Sequence, residues 1–291
     1  MLDPNVRFVV RKTACDGIGN VFKCFITGLS ANPNTMIECN PDYIFGNYDS
    51  VLDRKHIFRE GSQQQEQDGP KMRNEYIYTS RLLVLAEEES HQSHIFSDEN
   101  REFNGTGNMA YNFLYSPNVL IDYNYDPNRI CDKVKRRIIS VIQTIQFSLT
   151  IVDRVYRNVC FMAPSGKRLG ISVRTWSSFH EHGIERPYNY ETYANKILEV
   201  LNEVPDIQTI VLSFDNHSVE KQYLDLVEQF RKRVIVLRRD DDDICMNPLQ
   251  HSVVKMLSLA RCEYFICNRI STFSELVFWF GGCKAKVFPL F

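Results

Sequence analysis

From about residue 165 onward, short β-branched runs alternate with helical stretches, and this alternation constrains the chain more than any other feature. Residues 169–174 (Leu-Gly-Ile-Ser-Val-Arg) read as a strand. Residues 190–204 read as a helix, with Tyr193, Ile197, Leu198 and Leu201 on one side. The same grammar repeats: strand 209–214, helix 219–231, strand 233–237, helix 251–260, strand 263–267, helix 274–281 and strand 285–291. Strands separated by helices pair in parallel, with the helices as crossovers on both faces, which specifies a doubly wound α/β sheet.

The first half opens in the same way. Residues 6–11 read as a strand that runs into Asp16-Gly17-Ile18-Gly19-Asn20. A helix follows, with Val21, Phe22, Phe25, Ile26 and Leu29 at helical spacing. Residues 35–39 read as a second strand and the polar stretch 61–70 as a loop. Between residues 133 and 154 the spacing of Val134, Ile138, Ile142, Ile145, Leu149 and Ile151 predicts one long amphipathic helix with a solvated basic start. Met162-Ala163-Pro164-Ser165-Gly166 reads as a linker. For 291 residues the expectation is two Rossmann-like domains, 1–163 and 164–291.

Charge and cysteine content narrow the function classes. Thirty-four basic residues oppose 36 acidic ones, a net charge of −2, which speaks against nucleic acid as a partner. The nine cysteines form no CxxC pair, and Cys262 and Cys267 lie in an apolar stretch with no neighbouring histidine, so no metal site is expected. The run Asp240-Asp241-Asp242-Asp243 reads as a solvated turn, with a divalent-cation site as the alternative. Tyr111, Phe113, Tyr115, Tyr123 and Tyr125 read as core, with a sugar-binding surface as the alternative. The longest apolar stretch, 138–152, is broken by Ser140, Gln143, Gln146 and Ser148, and residues 1–5 lack a leader's basic and apolar regions. A cytoplasmic protein without signal peptide or transmembrane segment is expected, its thiols in a reducing compartment.

Ligands of open α/β sheets sit beyond the carboxyl ends of the strands, and four such loops carry candidate residues. In Asp16-Gly17-Ile18-Gly19-Asn20 the glycines let backbone N–H groups approach a phosphate or sugar, although a tight structural turn fits equally well. Arg174 ends an apolar strand and requires either an internal carboxylate or a ligand phosphate. Asp215 is a candidate for a base or ribose contact, or for a helix N-cap. The fourth loop, Asn268-Arg269-Ile270-Ser271-Thr272-Phe273-Ser274, places hydroxyls and N–H groups where the last helix begins, which suits a diphosphate; a cap on that helix is the plainer role.

At these loops the chain resembles the fucosyltransferase superfamily, in the inverting, GDP-fucose-dependent group that includes the nodulation and core α-1,6-fucosyltransferases. The segments that carry the resemblance are Phe8-Val9-Val10-Arg11-Lys12-Thr13 with Gly17-Ile18-Gly19-Asn20, then Ile171-Ser172-Val173-Arg174, Leu212-Ser213-Phe214-Asp215-Asn216, and residues 255–262 followed by Ser271-Thr272-Phe273-Ser274. Residues 51–129 match no motif of the family. Ser172 stands where the family has a histidine, and Ser177 where an acidic residue is frequent.

The resemblance implies a GT-B architecture, with two Rossmann-like domains facing each other across a cleft. It implies a nucleotide-sugar donor, GDP-fucose, and a glycan acceptor, with no cofactor and no metal required. Arg174 falls on the family's essential arginine. The donor would be held by Gly17, Gly19, Asn20, Ser172, Asp215, Arg269, Ser271, Thr272, Phe273 and Ser274. Asp16 is the candidate base, with a surface-turn role as its alternative. A different sugar nucleotide, or a catalytically silent glycan- or protein-binding module on the same fold, stands beside this reading. A dinucleotide enzyme fits less well, because the third glycine of its fingerprint is missing.

Overall fold

A computed structural model describes residues 8–10, 17–31, 33–38, 48–58, 75–76, 125–128, 130, 132–176, 188–238 and 246–291. Asp16, Ser177, the polar stretch 61–70, residues 240–243 and all the aromatic residues 111–123 named above lie outside them. The chain divides into two compact units, one of residues 1–149 with 247–250 and the other of 150–246 with 251–291.

In the first unit, β1 (Phe8–Val10), β2 (Met36–Glu38), β3 (Ile57–Phe58) and β4 (Glu75–Tyr76) form a parallel sheet in the order β3-β2-β1-β4. Helix α1 (Ile18–Ala31) buries Val21, Phe22, Phe25 and Ile26. Phe22 meets Tyr48 at 5.9 Å between ring centroids, and Phe25 meets His56 edge-on at 5.4 Å. His56 is buried, and its Nε2 accepts the Gln146 N–H at 3.3 Å. Burial, followed by the Lys55 charge, holds its pKa below the usual value and favours the neutral ring that can accept this bond. Tyr125 is buried, as expected of core.

The long helix expected over 133–154 is two helices, α2 (Asp132–Thr144) and α3 (Leu149–Phe161). Tertiary pairing breaks it. Asp53 N–H donates to the Gln146 carbonyl at 3.0 Å, Ser148 N–H to Val51 at 2.7 Å, and Leu52 and Phe147 form an antiparallel bridge. These bonds satisfy the backbone outside the helix, so the apolar spacing of 138–151 is shared by two helices in different settings. Ile138, Ile142 and Ile145 are buried before the break, and Ile151, Val155 and Asn158 after it.

Relative to the expected boundary at 163/164, the second unit also takes in nearly all of α3. Asn158 Nδ2 donates to Ser258 Oγ at 3.0 Å, and both residues are buried. The Ala163 N–H donates to Thr209 Oγ1 at 2.9 Å, and Arg233 Nη1 to the Phe161 carbonyl at 2.8 Å. Buried polar groups without partners cost ~1–3 kcal/mol each, so such bonds tie the helix to the second sheet.

That sheet contains β5 (Lys167–Val173), β6 (Ile207–Phe214), β7 (Arg233–Val236), β8 (Tyr264–Asn268) and β9 (Lys286–Leu290). All pair in parallel, in the order β7-β6-β5-β8-β9. Helices α4 (Tyr190–Glu203) and α5 (Glu220–Glu228) contribute Tyr193, Ile197, Val200, Leu201, Tyr223 and Val227 to one core with Ile171, Val173, Leu212, Phe214 and Ile266. At Gly170 a Cβ would lie 3.1 Å from Leu259 Cδ2 and 3.2 Å from Cys262 Sγ, so the missing side chain lets α6 (Pro248–Leu259) and the turn after it approach the sheet closely. Helix α7 (Thr272–Phe280) completes the unit, with Leu276, Val277, Phe278 and Trp279 buried. No helix among the described residues is long and apolar enough to cross a membrane.

Candidate functional site

Strand order locates the site. The chain runs from β5 through β6 to β7 on one side, then crosses to β8 and β9 on the other. The order reverses between β5 and β8, and at such a switch point the loops leaving the two strands diverge to opposite faces and open a crevice at the carboxyl edge. The loops here are residues 174–176 and 269–271. Ser172 pairs with Cys267 in register, so the two loops start side by side.

The Arg174 loop is ordered by one carboxylate. Asp215, at the end of β6, accepts Arg174 Nη1 at 3.1 Å, the Thr175 N–H at 2.9 and 3.0 Å to its two oxygens, Thr175 Oγ1 at 2.9 Å and the Trp176 N–H at 3.1 Å. The internal carboxylate that Arg174 required is therefore present, and Asp215 acts as a clamp on residues 174–176. Trp176 has φ of 57°, a left-handed conformation that is costly for a bulky side chain, of order 1–3 kcal/mol. Its bond to Asp215 and the Arg174 guanidinium stacked 4.7 Å from its ring centroid accompany that conformation.

Behind this loop lies Tyr193, fully buried on α4. Its hydroxyl donates to the Ser172 carbonyl at 3.2 Å and accepts the Arg174 N–H at 3.3 Å. Burial drives its pKa far above the ordinary tyrosine value, so it stays a neutral donor and acceptor. Ser172 itself is buried.

The second loop is held by backbone and Asn268. The Asn268 side-chain oxygen accepts the Ile270 N–H at 3.1 Å, its carbonyl accepts the Ser271 N–H at 3.3 Å, and the Arg269 N–H donates to the Leu290 carbonyl at 2.8 Å. Ser271 occupies the N-cap position of α7, but its side chain makes no capping bond. The first-turn N–H groups of Thr272, Phe273 and Ser274 thus lack the usual hydroxyl acceptor, and helix geometry gives them no internal one. Ser274 Oγ is buried, with no hydrogen-bond partner among the described residues. A helix start of this kind has a positive dipole end and donors in place for an anion.

In the first unit α1 begins at Ile18, so Gly19 and Asn20 are already helical and Gly17 alone precedes the helix. Gly17 is exposed, Gly19 is buried and the Gly17 carbonyl accepts the Val21 N–H at 3.4 Å. These three residues and those of the second sheet belong to separate units.

Sequence reasoning missed Thr175, Trp176, Tyr193 and Lys255 as parts of the site. Lys255 Nζ donates to the Phe214 carbonyl at 2.9 Å, next to Asp215. The signal was a single cation at 255 within the apolar stretch Val253, Val254, Met256, Leu257. Among the described residues no three His, Cys, Asp or Glu side chains are grouped so as to hold a metal ion.

No protein-family model matches the sequence, and no curated protein matches it. Solved structures do. POFUT1 in complex with GDP-fucose is similar with a TM-score of 0.51 at 11% identity, over 96% of this chain and 94% of that one. A mutant of Arabidopsis thaliana FUT1 in complex with GDP gives 0.56 at 10% identity, over 98% of this chain and 70% of that one. The fucosyltransferase NodZ from Bradyrhizobium gives 0.50 at 14% identity, over 94% and 92%. The chain has a fucosyltransferase-like fold, mixed α/β with parallel sheets, and its structural neighbours are GT-B fucosyltransferases.

Proposed function

We propose that this chain is an inverting glycosyltransferase that moves fucose from GDP-fucose to a glycan hydroxyl. The observation that carries the reading is the switch point of the second sheet, where Arg174 and the uncapped start of α7 leave adjacent strands. The likeness of the fold to structures solved with GDP and GDP-fucose supports it.

In this reaction the acceptor oxygen attacks the sugar C1 as the C1–O bond to the diphosphate breaks, and GDP leaves with the bonding pair. The acceptor proton passes to a base, for which Asp16 is the proposed group. Negative charge grows on the leaving diphosphate. Arg174 and the N–H groups of Thr272, Phe273 and Ser274 are fixed donors for that charge, as are the hydroxyls of Ser271 and Ser274, so they stabilise the transition state without reorganising. Arg269 flanks the same turn. Ser172 lines the strand end. Asp215 contributes by holding Arg174 rather than by taking up the ribose, since its oxygens already accept five hydrogen bonds.

The test is release of nucleoside diphosphate from GDP-fucose, other GDP-sugars, UDP-sugars and dTDP-sugars, each with and without a pool of glycan acceptors. We expect GDP-fucose to be consumed fastest, with acceptor dependence. Preference for another sugar nucleotide would favour the alternative donor, which Ser172 in place of the family's histidine makes the leading competitor. Binding of glycan with no turnover of any donor would leave a silent module and refute the enzyme reading.

A further inference from the structure

Lys255 has no role in the reaction just described, yet it is built into the same strand end. It sits on α6, and among the described residues its ammonium reaches one hydrogen-bond acceptor, the Phe214 carbonyl at 2.9 Å. Phe214 is the last residue of β6, and Asp215 follows it directly. The Asp215 backbone is held to the neighbouring strand by a long bond, its N–H to the Val173 carbonyl at 3.4 Å. The carboxylate that clamps residues 174–176 therefore hangs from a strand end whose last carbonyl is tied down by a lysine side chain.

The charges around Lys255 alternate. From the end of β6 it feels Asp215, which carries Arg174. From the start of α5 it feels Glu220, which is bonded to His217 Nδ1 at 2.8 Å and to Arg238 Nη2 at 3.2 Å. On its own helix the nearest titratable group is His251, one turn earlier. We propose that Lys255 is a positioning residue of the donor site: its ammonium, anchored on the Phe214 carbonyl, fixes Asp215 in the clamp that orders Arg174 and Trp176. The inference rests on the proposed donor site only for the consequence that donor binding follows the clamp.

A positioning role through charge predicts a pH signature. Burial depresses the Lys255 pKa to about 8, and Asp215 and Glu220 oppose this only partly. Below that pH the ammonium is charged and attracted to Asp215 and Glu220; above it the neutral amine keeps only weaker N–H donors and loses that attraction. The clamp should therefore loosen as pH rises through about 8. Folding stability runs the other way, because a lysine with a lowered folded pKa costs stability while charged, and that cost is relieved between about 8 and the ordinary lysine value. Opposite signs separate positioning from global stability.

The experiment is titration calorimetry of the full chain with GDP between pH 7 and 9.5, on wild type, Lys255→Arg and Lys255→Met. Tryptophan emission of the unliganded proteins is followed over the same range, because Trp176 lies in the clamp. Wild-type affinity should fall about tenfold with a midpoint near pH 8, accompanied by a step in emission. Lys255→Arg, charged throughout, should lack both changes and retain wild-type affinity at pH 7. Lys255→Met should bind about tenfold more weakly than wild type at pH 7 and lack the fall in affinity near pH 8. A Lys255→Arg protein that repeats the wild-type profile, or a Lys255→Met protein that binds normally at pH 7, would overturn the proposal. A wild type that binds no GDP at all would refute the donor-site reading; the emission step, present in wild type and absent in Lys255→Arg, then decides for or against the clamp.

Discussion

Replacing Arg174 with alanine is expected to lower the rate of sugar transfer by about 10²–10³-fold while the protein melts within a few degrees of wild type. The rate falls because, among the described residues at the switch point, the guanidinium is aimed by both a carboxylate and an aromatic face. It is paired with Asp215 at 3.1 Å and stacked on Trp176 at 4.7 Å, so its position is set before any ligand arrives. Stability should change little, because Asp215 keeps the Thr175 N–H, the Thr175 hydroxyl and the Trp176 N–H after the substitution. Arg174→Lys should recover only part of the loss, since a single ammonium cannot reproduce the planar fork. Steady-state assays with the preferred donor, alongside a thermal melt, read both quantities. Transfer by Arg174→Ala within threefold of wild type would remove Arg174 from the reaction.

Asp215→Ala should damage both activity and stability. The Asp215 side chain is 10% exposed and the Arg174 side chain 23%, so the pair is largely withdrawn from water. Removing Asp215 takes the carboxylate from a largely buried guanidinium, at about 3 kcal/mol, which is ~6–12 °C of melting temperature for a unit of this size, whereas in Arg174→Ala the remaining carboxylate keeps its other hydrogen-bond donors. Here the Thr175 and Trp176 N–H groups and the nearby Lys255 ammonium lose their carboxylate as well. With the clamp gone, the left-handed conformation of Trp176 loses its holding bond and Arg174 its orientation, so transfer should fall at least as far as in Arg174→Ala. Asp215→Asn keeps the shape but offers an NH₂ to a ring of donors, and it should be intermediate in the melt. A thermal scan that finds Asp215→Ala as stable as wild type would contradict the clamp.

The second sheet was legible because each of its strands carries its own signal. Residues 169–173, 209–214 and 264–267 are β-branched or aromatic runs between helices of clear period, and the observed strands differ from the expected ones by one or two residues at their ends. Strand order, and with it the switch point between β5 and β8, was not legible, because parallel pairing leaves several orders open. The break at 145–148 was not legible, because it is made by residues 51–53, nearly a hundred positions away, and leaves the apolar spacing intact. Strands β3 and β4 are two residues each, too short to carry an alternation.

At the site, residue types were readable and their partnerships were not. Arg174 at a buried strand end announced the need for a counter-charge, and Asp215 at the next strand end was visible too. That Asp215 also gathers two backbone N–H groups and the Thr175 hydroxyl depends on a turn with a left-handed Trp176, which no local pattern encodes. Ser271 has the residue type of an N-cap but leaves the cap bond unmade, and this too is a matter of side-chain orientation.

A structure of the protein with GDP bound tests the central claim most directly. The diphosphate is expected within about 3 Å of the Arg174 guanidinium and of the N–H groups of Thr272, Phe273 and Ser274, with Asp215 still bonded to residues 174–176. GDP bound with its diphosphate away from both Arg174 and the start of α7 would contradict it.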